Sequence, residues 1–233
     1  MAKWLFLLLA LALTACSNRE TLAPVEESQW HAYNPNATQH VVARGETLYA
    51  IAFRYDQDYR QLAIDNQLRS PYNLAVGQVI RLKPNRSQQP SYAQPVRVTQ
   101  PTYTPSRPIV TSTHRGRWLW PARGRVVSSF VPSQGKKGID IAGHKGEKIY
   151  ASTGGVVAYS GSGLAGYGNL IIIKHDNQYL TAYGNNAKNL VVEGQSIKAG
   201  QVIAEMGVVN RRFWGVHFEI RQAGRPVNPL SFL

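Results

Sequence analysis

The stretch WGVHFEIR, Trp214–Arg221, decides how the second half of this chain is read. Val216, Phe218 and Ile220 alternate with His217 and Glu219, the period of a β-strand with one apolar face. His217 is therefore expected on the opposite face, away from the hydrophobic layer. A lone imidazole there could serve as a metal ligand, a general base or neither. The choice depends on what the rest of the chain places beside it.

Working outward, the region around this strand breaks into short runs of β-type composition: GRVVSSF, KIYASTGGVVAYSG, NLIIIKH, YLTAYG, KNLVV and SIKAGQVIAEMG. Gly and Asn separate them, which predicts a mostly-β domain over residues 117–233. Leu170–Ile173 is apolar without alternation, so that strand is expected to be buried on both faces.

Upstream, residues 84–116 hold repeated Pro, Gln, Ser, Thr and Tyr and are expected to form a disordered linker. Fully extended, about 30 such residues span roughly 90 Å. Before it, residues 40–83 predict a small α+β module in the order strand, helix, helix, strand. His40–Ala43 opens it, Gly45 allows a turn, and Thr47 is placed to cap a helix carrying Leu48, Ile51 and Ala52 at helical spacing. A second helix is expected near Tyr59–Asn66, and Val79–Leu82 closes the unit. The fold class is thus mixed, a βααβ module joined to a mostly-β domain.

The chain starts MAKWLFLLLALALTAC, an apolar run behind Lys3 that is too short to span a bilayer as a helix and fits a secretory segment over residues 1–15. Cys16 is the only cysteine among 233 residues, so no internal disulfide can form. It is either incidental or the site of another modification. LTAC resembles the lipobox of bacterial lipoproteins, which implies a lipid on Cys16, a polar tether over residues 16–39 and attachment to a membrane. Residue 17 is serine, which in that family accompanies sorting to the outer membrane, facing the periplasm. The formal net charge is +13, and seven arginines with no acid lie between Pro84 and Gln134. Such a balance suits a polyanionic partner or merely a soluble basic linker. Nucleic acid is the obvious polyanion, but an exported lipoprotein rarely meets it, so no nucleic acid is expected and peptidoglycan carboxylates, anionic lipids or an acidic protein fit better.

The residues VARGETLYAIA and NLAVGQVIRL resemble the two ends of a LysM module. That implies binding of N-acetylglucosamine chains of peptidoglycan between two loops, with Gly45, Thr47, Leu48, Asn73 and Leu74 as candidate contacts. The segments KKGIDIAGHKGEKIYASTGGVVAYSG, YGNLIIIKHDNQYLTAYGNN and VHFEIR resemble the LytM, or lysostaphin-like, metallopeptidase domain. Active members hold zinc with a histidine, an aspartate four residues later and the second histidine of a His-x-His pair; two further histidines assist hydrolysis. Placed on that pattern, Asp140 and His217 match ligands, while Lys136, Gly215 and Asn185 stand where histidines belong. Catalytic zinc needs three protein ligands and an open position. No metal, no cofactor and no catalysis are therefore expected, and Lys136 is expected to fill the old metal position and pair with Asp140. The alternative is an active zinc endopeptidase with substitute ligands; His144 and His175 are its candidates. A LysM module joined to a degenerate LytM domain resembles the NlpD-type cell-division factors. This implies activation of a periplasmic N-acetylmuramoyl-L-alanine amidase, whose inhibitory helix enters the dead groove. Lys136, Asp140, Tyr167, Tyr183, Asn185, Trp214 and His217 are the candidate lining, with Tyr183 equally readable as core.

Overall fold

The computed structural model describes residues 34, 36–82, 118–175 and 178–233. The expectations for the secretory segment, Cys16, the tether up to residue 33 and the linker lie outside the described residues.

In the first module, β1 (Gln39–Val41) pairs antiparallel with β2 (Val79–Arg81), His40 opposite Ile80. Between them lie α1 (Leu48–Arg54) and α2 (Tyr59–Asp65). Thr47 caps α1 by accepting from the Ala50 amide at 3.2 Å, and Asp58 caps α2 by accepting from the Arg60 amide at 2.9 Å. Each such cap satisfies an amide that the first helical turn leaves without a partner. The sequence pattern predicts a single apolar stripe on α1, yet Leu48, Ala50, Ile51, Ala52 and Phe53 are all buried. The extra burial arises because a second surface, the β domain, covers the other side of the helix.

The second module is a 10-stranded sheet. Its strands are β3 (Arg125–Ser128), β4 (Ile139–Ala142), β5 (Lys148–Tyr150), β6 (Gly155–Gly161), β7 (Asn169–Lys174), β8 (Tyr179–Asn189), β9 (Ser196–Ile197), β10 (Val202–Val209), β11 (Phe213–Gln222) and β12 (Arg225–Val227). Among the described residues its strand pairings are antiparallel, and the long strand β11 reaches four neighbours: β4 and β10 through its first half, β8 and β12 through its second. Helical structure in this module is confined, among the described residues, to 3-10 turns at Pro132–Gln134 and Pro229–Ser231.

The run Leu170–Ile173 is fully buried, and its two faces belong to different cores. Ile171 and Ile173 pack with Phe218, Ile220 and Tyr183 inside the β domain. Leu170 and Ile172, with Leu180 and Ala182 of β8, pack in one cluster with Leu48, Ile51 and Phe53 of the first module. Burial of each Leu, Ile or Phe side chain stabilises by roughly 1.5–3 kcal/mol relative to exposure. The described parts of both modules accordingly belong to one compact unit, Ala32–Leu233.

Candidate functional site

Strand β11 places the site. Val216, Phe218 and Ile220 enter the inner core, as their spacing predicts, and His217, Glu219 and Arg221 project from the other face. His217 stands opposite Asp140 on β4 and opposite Gly184 on β8. This cross-strand register brings together two groups that lie 77 residues apart in sequence.

The polar groups on this face form a continuous chain. His217 Nδ1 lies 2.6 Å from Asp140 Oδ1, and Nε2 lies 3.0 Å from Glu219 Oε1. The Tyr167 hydroxyl donates to the same Glu219 oxygen at 2.8 Å. Arg221 Nε donates to Glu219 Oε2 at 2.7 Å. The guanidinium continues outward to Asp56 of the first module, which also accepts from Lys137 Nζ at 2.5 Å. Phe53 closes the assembly: its ring centroid is 4.2 Å from the Arg221 guanidinium carbon and 5.3 Å from the Tyr167 ring. The Gly184 position opposite His217 leaves room for Tyr167, whose ring atom Cδ1 would lie 3.3 Å from a Cβ there.

Electrostatics follow from these partners. Burial alone would lower the His217 pKa, but hydrogen bonds to Asp140 and Glu219, and their charges, hold it at about 9. Burial would raise that of Glu219, but the Arg221 charge and the His217 hydrogen bond hold it at about 2. Glu219 and Arg221 are both fully buried, so each supplies the counter-charge that the other requires. Burial beside Glu219 pushes the Tyr167 hydroxyl well above its ordinary range.

At pH 7 the His217 ring thus donates from both nitrogens, and a cation would have to displace one of these protons. Its charge should appear directly: ¹⁵N NMR of the ring is expected to show a doubly protonated imidazole through pH 7, titrating near pH 9. Because the folded pKa is raised above the ordinary value of about 6.5, this pair stabilises the fold fully below pH 6.5 and ceases to do so as pH rises through 9. A neutral ring at pH 7 would contradict the arrangement.

The donor set does not fit zinc. Asp140 and His217 satisfy each other, and among the described residues no three His, Cys, Asp or Glu side chains are grouped to hold a metal ion. At Gly215 an added Cβ would sit 2.3 Å from the Ile141 carbonyl oxygen, so β4 occupies the space a histidine side chain would enter. His144 is 95 % exposed in its turn, and His175 is bound to the Gly154 carbonyl and the Thr181 hydroxyl. Neither joins Asp140.

Several expected positions require correction. Lys136 does not pair with Asp140: it is exposed, and its backbone bridges Val131 across a tight turn. Asp140 is taken by His217 instead, and the neighbouring Lys137 reaches Asp56. Tyr183 does not line the groove. Paired residues of adjacent strands share a face, and Tyr183 pairs with Phe218, so it enters the inner core with its hydroxyl accepting from the Ser152 amide at 2.9 Å. Trp214 has the alternation of Val216 and Phe218, which turns it from the His217 face; Lys145 lies 5.7 Å from its ring centroid. Asn185 is half-buried in a left-handed conformation, φ 61°, and its amide donates to the Tyr167 carbonyl at 2.6 Å. Tyr167, Asp140 and His217 are brought together through Glu219 and the His217 ring.

The candidate glycan contacts also separate. Gly45 and Asn73 are exposed, while Leu74 is half-buried against the core. The Leu48 side chain is buried, so only its backbone can meet a sugar. Thr47 Oγ1 donates to the Ala158 carbonyl of β6 at 3.1 Å.

Sequence reasoning missed Glu219, Arg221, Lys137, Asp56 and Phe53. The signal for the first two was present: His217, Glu219 and Arg221 follow the same two-residue period that placed His217.

Comparison with known proteins gives this geometry its relatives. Residues 134–229 match the model of peptidase family M23, and residues 40–83 match the LysM domain. A protein of Pseudomonas aeruginosa named "Lipoprotein NlpD/LppB homolog" is 41% identical over 227 residues, covering 84% of this chain and 76% of the relative. The chain belongs to the NlpD/LppB lipoprotein family. Another member of that family, from Escherichia coli K12 and named "Murein hydrolase activator NlpD", is 36% identical over 258 residues, covering 85% and 68% of the two chains. A zinc-containing peptidase from Vibrio cholerae is 30% identical at a TM-score of 0.43, over 48% of this chain and 38% of that one. The NlpD/LppB chain described here therefore combines a LysM module with an M23-type β domain, as its motifs predict.

Proposed function

We propose that this protein binds peptidoglycan through its LysM module and switches on a periplasmic N-acetylmuramoyl-L-alanine amidase through its β domain, without cleaving the wall itself. The observation that carries this reading is His217, held on both nitrogens by Asp140 and Glu219 where a peptidase would need free ligands. A peptidase fold with its ligands tied to each other keeps a shaped face but loses the means to activate water. The E. coli relative's name, murein hydrolase activator, supports transfer of that role. In this reading the protein is held at the outer membrane by a lipid on Cys16, which the lipoprotein name of its P. aeruginosa relative supports, with the amidase and the glycan strands as periplasmic partners.

The test is release of dye-labelled fragments from sacculi by a purified amidase of the same organism. An amidase blocked by its own helix has only a small competent fraction. Relief is expected to raise its rate by roughly the inverse of that fraction, about 10–100-fold. The chain alone is expected to release nothing. No acceleration, or digestion by the chain alone with bound zinc, would refute the proposal.

A further inference from the structure

The polar chain on the groove face does not end within the β domain. Its outermost carboxylate, Asp56, belongs to the turn after α1, 165 residues from Arg221. The contacts of α1 run the length of that face. Thr47 Oγ1 reaches the Ala158 carbonyl at 3.1 Å, and Arg54 Nη2 reaches the Gly163 carbonyl at 2.9 Å. Phe53 lies against Tyr167 and over Arg221, and Asp56 accepts from both Arg221 and Lys137. The fit is close enough to require glycine: a Cβ on Gly224, in the β11–β12 turn, would lie 2.2 Å from the Gln57 carbonyl carbon.

We propose that the LysM module is a lid on this groove, and that its Phe53 and Asp56 side chains hold the place of a partner helix presenting an aromatic side chain and a carboxylate on one face. The identity of the partner as an amidase rests on the function proposed above; the lid itself stands on the contacts.

Two deficits appear if the lid lifts. Arg221 keeps Glu219 on its inner side but loses Asp56 on its outer side, and Lys137 loses the same carboxylate. The strip Leu164, Leu170, Ile172 and Leu180 loses the apolar side chains of α1 that share its core. An amphipathic helix with an aromatic and an acid on its apolar-edged face supplies both. LysM and such a helix need the same guanidinium and the same strip, so occupation is exclusive. The acidic partner is thereby selected by chemistry that the protein already satisfies internally. Docking is also coupled to the glycan-reading loop, because Thr47 donates its one hydroxyl proton to Ala158 while the lid is closed.

The experiment compares the full chain with two openers of unrelated chemistry. Asp56→Arg sets a cation against Arg221 and Lys137. Gly224→Asn keeps a residue tolerant of left-handed backbone but drives its side chain into the Gln57–Asp58 backbone. Small-angle X-ray scattering is expected to show a larger radius of gyration for both, with unchanged β-type circular dichroism. If the lid is closed about 90% of the time, opening raises apparent affinity for the amidase about tenfold. Wild-type scattering from both variants overturns the lid. Expansion with unchanged or weaker amidase binding overturns the competition. If neither wild type nor variants affect the amidase, the proposed function fails, and the scattering alone then decides the lid. Should one variant unfold, the other still gives each of these answers.

Discussion

Replacing Arg221 with methionine is expected to lower the melting temperature by roughly 6–20 °C. The side chain is fully buried and is shared by Glu219, Asp56 and the Phe53 ring. Removing one member of a buried ion pair typically costs about 3–5 kcal/mol, because the abandoned charge stays without its partner. At roughly 2–4 °C per kcal/mol for chains of this size, the stated range follows. Glu219 is the charge left behind, and with Arg221 gone its hydrogen bonds from His217 and Tyr167 do not compensate. A double variant, Arg221→Met with Glu219→Gln, is therefore expected to recover part of the loss. Thermal melts followed by circular dichroism provide the check. A fall of less than about 2 °C for the single variant would mean that the guanidinium is not a structural element.

The second large effect concerns attempts to rebuild an enzyme. Introducing histidine at the three vacated positions, Lys136→His, Gly215→His and Asn185→His, is expected to yield no zinc peptidase. Gly215 lies under the Ile141 carbonyl, so any side chain there must push β4 away from β11. Forcing atoms into a packed interior typically costs about 1–3 kcal/mol, and here the displaced strand carries Asp140 itself. Lys136 projects from a turn into solvent, so a histidine there starts on the wrong side of the backbone. Stability is expected to fall by at least that range in Gly215→His alone, and zinc analysis of the triple variant should give well under one equivalent. A triple variant that binds a full equivalent and digests sacculi would refute this reasoning.

Much of the fold could be read from local sequence because the relevant forces act locally. The alternation around His217, the unbroken run at Leu170 and the Thr47 cap are each set by neighbours within a few residues. The site was legible only where one strand carries it. Asp140 and His217 were identified through their motifs, but the partner of Asp140 was not, because strand register decides it. Lys136 and Lys137 are adjacent and chemically alike; a tight backbone bridge at Val131 sends the first outward, and Asp56 captures the second. Tyr183 and Asn185 look equivalent at a spacing of two. The left-handed backbone at Asn185 breaks the alternation, while register with Phe218 turns Tyr183 into the core. Asp56 and Phe53 were out of reach for a different reason: nothing in a module's own sequence states which foreign surface it will cover.

The doubly buried strand at Leu170–Ile173 has a practical consequence for anyone dissecting this protein by deletion. A fragment beginning after residue 117 would carry Leu170, Ile172, Leu180 and Ala182 with no roof above them. Such a piece exposes that strip to solvent, so a phenotype of the deletion combines the bared surface with the lost grip on sugar, whereas Asp56→Arg and Gly224→Asn uncover the strip and keep the sugar-binding module.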